Sequence, residues 1–240
     1  MRVRAIALAL LAAACTPATP QAPQPQRDPL AEGFPRPDRP VAAIVATQFS
    51  NEDARDDRRE AEQLMDWAGI APGMTVADIG AGEGYYSVRL APRVGEKGRV
   101  LAQDINREAL DRLAERVARD RLDNVSIALG LPADPRLPAA SFDRIFLVHM
   151  YHEIEEPYVF LWRLRPALRP GGEIVVLDSD RPTGEHGTPP QLLFCEMAAM
   201  GLRLTGFAVQ PGVGGYFARF VAEGPRPAPT AIKPCALAKR

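Results

Sequence analysis

Residues Val76-Ala-Asp-Ile-Gly-Ala-Gly-Glu-Gly-Tyr-Tyr-Ser87 constrain this chain more than any other stretch. A short apolar run ends near Asp78, glycines follow at alternate positions (Gly80, Gly82 and Gly84), and a helical pattern begins at Tyr85. The pattern predicts a buried strand, a tight turn and a helix start. Glycine adopts dihedrals closed to other residues and lets a main chain pass close to a ligand. Unbonded N–H groups at the start of a helix favour a nucleotide-like or carboxylate-bearing ligand.

The chain after this stretch alternates between two periodicities. Strands are expected at 99–103, 124–129, 142–148 and 173–177, with an amphipathic helix over 107–121 that puts Leu110, Leu113 and Val117 on one face. Further helices are expected over 157–168 and 190–200, then two strands, 202–209 and 216–222, joined by Gly214-Gly215. Alternating strands and helices imply a doubly wound α/β domain with a mostly parallel sheet, and the closing pair implies one antiparallel strand. In such sheets ligands bind beyond the carboxyl ends of the strands, at the switch point. Those ends carry Asp78, Asp104, the loop with Asp134, the cluster His149-Met-Tyr-His-Glu153, and Asp178-Ser-Asp180.

Ahead of the first strand, Asn51 to Ala68 reads as one helix. Its first half is almost wholly charged, and Ala61, Leu64, Met65 and Ala68 follow at helical spacing. A solvated face is expected for the charged half, with a lid over the ligand site as the alternative.

A formal net charge of −1 argues against a general nucleic-acid binder. Met1-Arg-Val-Arg4 is basic, Ala5 to Ala14 is unbroken apolar sequence, and Cys15 follows, which describes a secretory signal. Ala12-Ala13-Ala14-Cys15 resembles a bacterial lipoprotein lipobox, with Leu11 one place earlier than usual. Acyl chains on Cys15 would attach the protein to a membrane without a spanning helix. The expected organisation is a signal over 1–15, a Pro-rich solvated tether over 16–50, one domain over 51–223, and a disordered basic tail over 224–240. An oxidising compartment would allow Cys195 and Cys235 to pair. With one in a helix and the other in the tail, two unpaired thiols are expected.

The glycine spacing departs from the dinucleotide fingerprint G-x-G-x-x-G, because the third glycine comes one residue early. Val76 to Ser87 instead resembles motif I of class I S-adenosylmethionine-dependent methyltransferases. Leu168-Arg-Pro-Gly-Gly-Glu-Ile-Val-Val-Leu-Asp178 is similar to their strand-five motif, and Ser141-Phe-Asp-Arg-Ile145 to the start of their strand four. The resemblance covers roughly 51–222, and 51–86 is most similar to a group of predicted methyltransferases, some with signal peptides. It implies a Rossmann-like seven-stranded sheet in the order 3-2-1-4-5-7-6.

The resemblance also implies roles. Gly80, Gly82 and Gly84 would admit the methionine part of S-adenosylmethionine, and Asp78 would orient that loop and reach the amino group. Asp104 would accept from both ribose hydroxyls. Ile105 would lie on the adenine, Asp134 would take its amino group, and Val148 and His149 would flank the methionine end. His149, Tyr151, His152 and Glu153 are candidate bases for a proton leaving the acceptor. His-x-x-His-Glu also bears on metal binding. With only His186 or Asp180 as a further candidate ligand, no metal is expected.

The expected function is methyl transfer to a small-molecule acceptor, in an envelope protein attached through Cys15. The cofactor is made in the cytoplasm, so these halves pull apart, and a cytoplasmic domain follows if the signal is misread. A non-catalytic ligand-binding module, a nicotinamide-dependent oxidoreductase and a protein carboxyl methyltransferase stay open.

Overall fold

The computed structural model describes residues 27–44 and 51–236. The signal and lipidation cysteine expected over 1–15 lie outside the described residues, as do 16–26, 45–50 and 237–240. No helix among the described residues is long and apolar enough to cross a membrane.

The strands are β1 (Thr75–Ile79), β2 (Arg99–Asp104), β3 (Val125–Leu129), β4 (Phe142–Val148), β5 (Leu168–Asp178), β6 (Leu202–Gln210) and β7 (Gly215–Ala222). They form one seven-stranded sheet in the order β3-β2-β1-β4-β5-β7-β6, as the resemblance implies. Pairing is parallel except where β7 runs between β5 and β6. The helices are α1 (Glu52–Asp57), α2 (Glu60–Trp67), α3 (Tyr85–Val94), α4 (Arg107–Arg119), α5 (Pro157–Leu164) and α6 (Pro190–Ala199).

Side chains alternate across a strand, and here both sets are apolar, so both faces must be covered. Ala77, Ile79, Ile145, Leu147, Ile174 and Val176 pack with Tyr158 and Leu161 of α5 and Leu193 and Met197 of α6. Val76, Phe146, Val175 and Leu177 pack with Leu64 and Met65 of α2 and Leu90 of α3. α4 buries Leu110 and Leu113 over Ala102. The Asn106 side chain caps α4 by accepting from Ala109 N at 3.1 Å, and Arg116 and Arg119 lie in its last turn, the sign its dipole favours. The chain leaves β1 through β2 and β3, then returns to β4 on β1's other side. That reversal opens a crevice at the carboxyl ends of β1 and β4.

Several expectations are corrected. The helix read over 51–68 is two helices, because Arg59 takes a left-handed conformation (φ 53°) and breaks the run. α2 therefore restarts with Glu60 turned inward, and the charged half is not simply a solvated face. The helix read over 157–168 ends at Leu164. Pro166 lacks an N–H to continue the α-helical ladder, so although Arg165 keeps helical dihedrals, a single tight turn, Arg165–Ala167, leads into β5.

The tether and tail are also corrected over their described parts. Residues 27–44 form a strap. Arg27 donates to both carboxylate oxygens of Glu156 at 2.6 and 2.7 Å, Ala31 is buried with Ala133 and Val159, and Phe34 meets Trp162 edge-on. In the tail, Trp162 Nε1 donates to Pro227 O, Arg226 stacks over the Trp162 ring, Ile232 is buried, and Cys235 forms a disulfide with Cys195. The two thiols expected to be unpaired are thus joined across 40 residues.

Candidate functional site

The crevice is a cavity of about 620 Å³, inside the range of about 300–1,000 Å³ usual for ligand sites. The β1–α3 loop forms one wall. Gly80 and Gly82 have φ of 69° and 54° and both line the cavity. A Cβ on Gly80 would stand 3.0 Å from Met150 Cγ, so loop and post-β4 segment approach as only glycine allows. Gly84 plays a different part. It lies outside the cavity lining, and a Cβ there would meet Leu113 Cδ1 at 2.2 Å, so it serves the packing of α4.

Asp78 also lies behind the loop. It is buried, and its Oδ2 accepts from Ser87 Oγ at 2.6 Å in the first turn of α3. Burial pushes its carboxyl up to about 6, against the opposing bond from Ser87. Asp104 ends β2 and lines the cavity. Its Oδ2 accepts from Gly82 N and its Oδ1 from Asn106 N, both at 2.8 Å. Each oxygen offers about two acceptor sites, so each keeps one for a ligand hydroxyl. Ile105, 38% exposed, presents an apolar surface beside it. The structure places Asp134 elsewhere. Its Oδ2 accepts from Arg163 Nη1 and its Oδ1 from Arg136 N, and Leu131 and Pro132 line the cavity in its stead.

Beside the glycine loop stand the residues after β4. His149 is left-handed (φ 51°), and its N–H donates to Leu177 O at 2.8 Å. Its Nε2 lies 3.5 Å from Glu60 Oε2. Glu60 Oε1 accepts from Arg55 and from Tyr86 OH, so α2 closes the cavity with a buried carboxylate. Burial alone would raise the Glu60 carboxyl, but His149 and Arg55 outweigh it and hold it at about 2. His152 is buried in the cavity wall, and its Nδ1 donates to Asp178 at 3.0 Å. Asp178 is itself fixed by Ser179 N and Thr188 Oγ1 at 2.8 and 2.7 Å. Tyr151 is not brought into the site: it is fully buried, and its OH donates to Glu196 at 2.7 Å on the far side.

Sequence reasoning missed Glu60 and Arg55. Glu60 lies one turn before Leu64 on the same side of α2, so extending the apolar stripe backwards would have reached it.

A seven-stranded sheet in this order, with a glycine loop after β1 and an acid closing β2, defines the class I S-adenosylmethionine-dependent methyltransferase fold. Residues 76–172 match the family model described as a methyltransferase domain. A ubiquinone/menaquinone biosynthesis C-methyltransferase of Shewanella sp. (strain ANA-3) is 31% identical over 120 residues, 49% of this chain and 47% of its own length. A nocamycin O-methyltransferase of Saccharothrix syringae is 38% identical over 86 residues, 36% of this chain and 31% of its own length. The chain thus spans about half or less of the curated relatives it matches. Among solved structures, a SAM-dependent methyltransferase from Aquifex aeolicus superposes with a TM-score of 0.69 and 24% identity, over 75% of this chain and 100% of that one. The domain thus has the fold of the class I S-adenosylmethionine-dependent methyltransferases, and its 76–172 segment is similar to methyltransferase domains.

Proposed function

We propose that the protein transfers a methyl group from S-adenosylmethionine to a small-molecule acceptor held at the histidine end of the cavity. One observation carries this reading: the glycine loop with Asp104 and the Asp178-backed His152 line one cavity. The cofactor supplies a methyl group on a sulfonium. Gly80 and Gly82 admit its methionine part, Asp104 takes its ribose hydroxyls, and Ile105 covers its base. Asp78 acts from behind by holding Ser87 and the loop. Methyl transfer is mainly a matter of alignment, and α2 supplies one wall of the site by setting Glu60 beside His149. With Nδ1–H donated to Asp178, His152 keeps the tautomer whose Nε2 can accept a proton from an acceptor O–H, N–H or S–H.

The acceptor end is lined by Arg181, Glu185 and His186 as well as His152, which suits a small polar molecule. The named activities of the C- and O-methylating relatives do not decide the atom. The Cys195–Cys235 disulfide supports an oxidising compartment, in line with export and a lipid anchor at Cys15. Labelled palmitate followed by fractionation tests the anchor, and soluble unlabelled protein would refute it.

The central test is calorimetry of the full chain with S-adenosylmethionine and S-adenosylhomocysteine. Binding is expected, with Asp104→Ala weakening it by removing both the ribose acceptor and the anchor of Gly82. No binding by the wild type, or equal binding by the variant, would overturn the assignment. Binding without transfer to any acceptor would favour a ligand-binding module.

A further inference from the structure

We propose that His152, Glu153 and His186 form a binding site for a first-row divalent cation, of which Zn²⁺ is the type, at the acceptor end of the cavity. Their ligand atoms all lie within 4.8 Å of one another, and all three residues line the cavity. His152 and Glu153 belong to the single turn Tyr151–Glu153 after β4, and His186 follows the turn Thr183–Glu185 after β5. Neighbouring parallel strands therefore deliver the three ligands to one point. His186 holds a left-handed conformation (φ 56°, ψ 57°), which a non-glycine residue keeps only where its surroundings fix it. The His152 and His186 rings meet edge-to-face with centroids 5.6 Å apart.

A second observation is independent of this grouping. Metal-bound imidazoles usually donate their other N–H to a carboxylate, which fixes tautomer and ring orientation. His152 has that partner: Asp178 is fully buried, is held by Thr188 and Ser179, and receives Nδ1, so Nε2 is the remaining ligand atom. Zinc takes nitrogen and oxygen ligands at about 2.0–2.2 Å, which in a tetrahedral site sets neighbouring ligand atoms about 3.4 Å apart, so atoms now within 4.8 Å of one another must draw together by up to about 1.4 Å. Glu153 and His186 are half-buried, so side-chain rotation on the fixed backbone is the adjustment required of them, while His152 is buried against Asp178. Two imidazoles and one carboxylate suit zinc, cobalt or nickel, whereas magnesium and calcium prefer all-oxygen sets. Three protein ligands also leave a position open. With a cation bound, His152 Nε2 is a ligand, and a hydroxyl or thiol at the open position loses its proton to solvent under the cation's field.

This inference does not require S-adenosylmethionine. The test uses the full chain with Cys15→Ser, which removes the one cysteine outside the disulfide. The protein is stripped with a chelator, then titrated with Zn²⁺ by calorimetry and with Co²⁺ by visible absorption. One cation per chain is expected. Outer-shell partners are worth about 10–100-fold in metal affinity, so Asp178→Asn should fall in that range and His186→Ala at or beyond its upper end. His186 is on a partly exposed turn, and an unchanged thermal melt will show that its variant folds. A wild type that takes up no cation, or a His186→Ala variant that binds as well as wild type, would leave the cluster as an ordinary polar wall and overturn the proposal. Cofactor binding is titrated on the same samples, so failure of one reading is distinguishable from failure of the other.

Discussion

Replacing Glu60 by Gln tests whether α2 is held over the cavity by charge. Glu60 is 2% exposed, and its Oε1 accepts from Arg55 Nη2 at 2.6 Å, Arg55 Nε at 3.0 Å and Tyr86 OH at 3.1 Å. Burial opposes ionisation, yet His149 and Arg55 bring the carboxyl from 4.5 to about 2. At about 1.4 kcal/mol per pH unit, that drop corresponds to about 3 kcal/mol of folding stability. Breaking one partner out of a buried ion pair costs about 3–5 kcal/mol in other proteins, which agrees. The sign follows from the depressed value. The contribution is fully present above the unfolded value near 4.5 and is lost as pH falls through the folded value near 2. Urea unfolding of wild type and Glu60→Gln, with the disulfide oxidised, should differ by about 3 kcal/mol at pH 7, and the gap should close between pH 5 and 2. A gap at pH 7 below about 1 kcal/mol, the worth of an exposed pair, would refute the reasoning. So would a gap that does not change between pH 6 and 3.

Gly84→Ala should cost about 2–4 kcal/mol, from a left-handed alanine plus a clash with Leu113, and a denaturant titration will measure it. Asp134→Ala should leave S-adenosylmethionine affinity unchanged in calorimetry and cost about 1 kcal/mol or less, because its carboxylate serves a partly exposed pair with Arg163. Cys195→Ser with Cys235→Ser should lower stability by up to about 4 kcal/mol, the chain-entropy value for a loop of 40 residues, read as a lower melting temperature that reductant no longer shifts.

The sheet was legible because its signals are local and periodic. Buried parallel strands such as 142–148 must be apolar on both faces, and the acids closing β1 and β2 stand where the crevice opens. The glycine triplet was legible as a unit but not in its division of labour, since the neighbour that makes Gly84 necessary, Leu113, comes from another helix. Asp134 shared a strand-end position with Asp104. Only folding reveals that Arg163 from α5 claims its carboxylate, whereas Asp104 keeps acceptor sites on the cavity. Glu60 was hidden in a run of charges although it shares the buried face with Leu64, and the break at Arg59 has no sequence marker such as glycine or proline. The strap and tail escaped for the opposite reason. They have no period, because scattered anchors hold them, arginines on carbonyls together with single buried residues such as Ala31 and Ile232, and not a continuous apolar face.

Those two aperiodic ends converge behind the histidine end of the cavity. Ala42 N donates to His152 O, and Arg39 donates to the carbonyls of Tyr151 and Ile154. Its guanidinium lies 3.4 Å from Glu196, which in turn accepts from Tyr151 OH. Glu196 is on α6 beside Cys195, the disulfide ties α6 to the tail, and Asp38 pairs with Ala236. The turn that carries His152 and Glu153 is therefore backed by both ends of the described chain and not by the sheet core alone. A site on such a turn is sensitive to anything that loosens either end. The double cysteine variant should accordingly weaken function at the histidine end more than cofactor binding at the glycine loop, which rests on β1, β2 and α3.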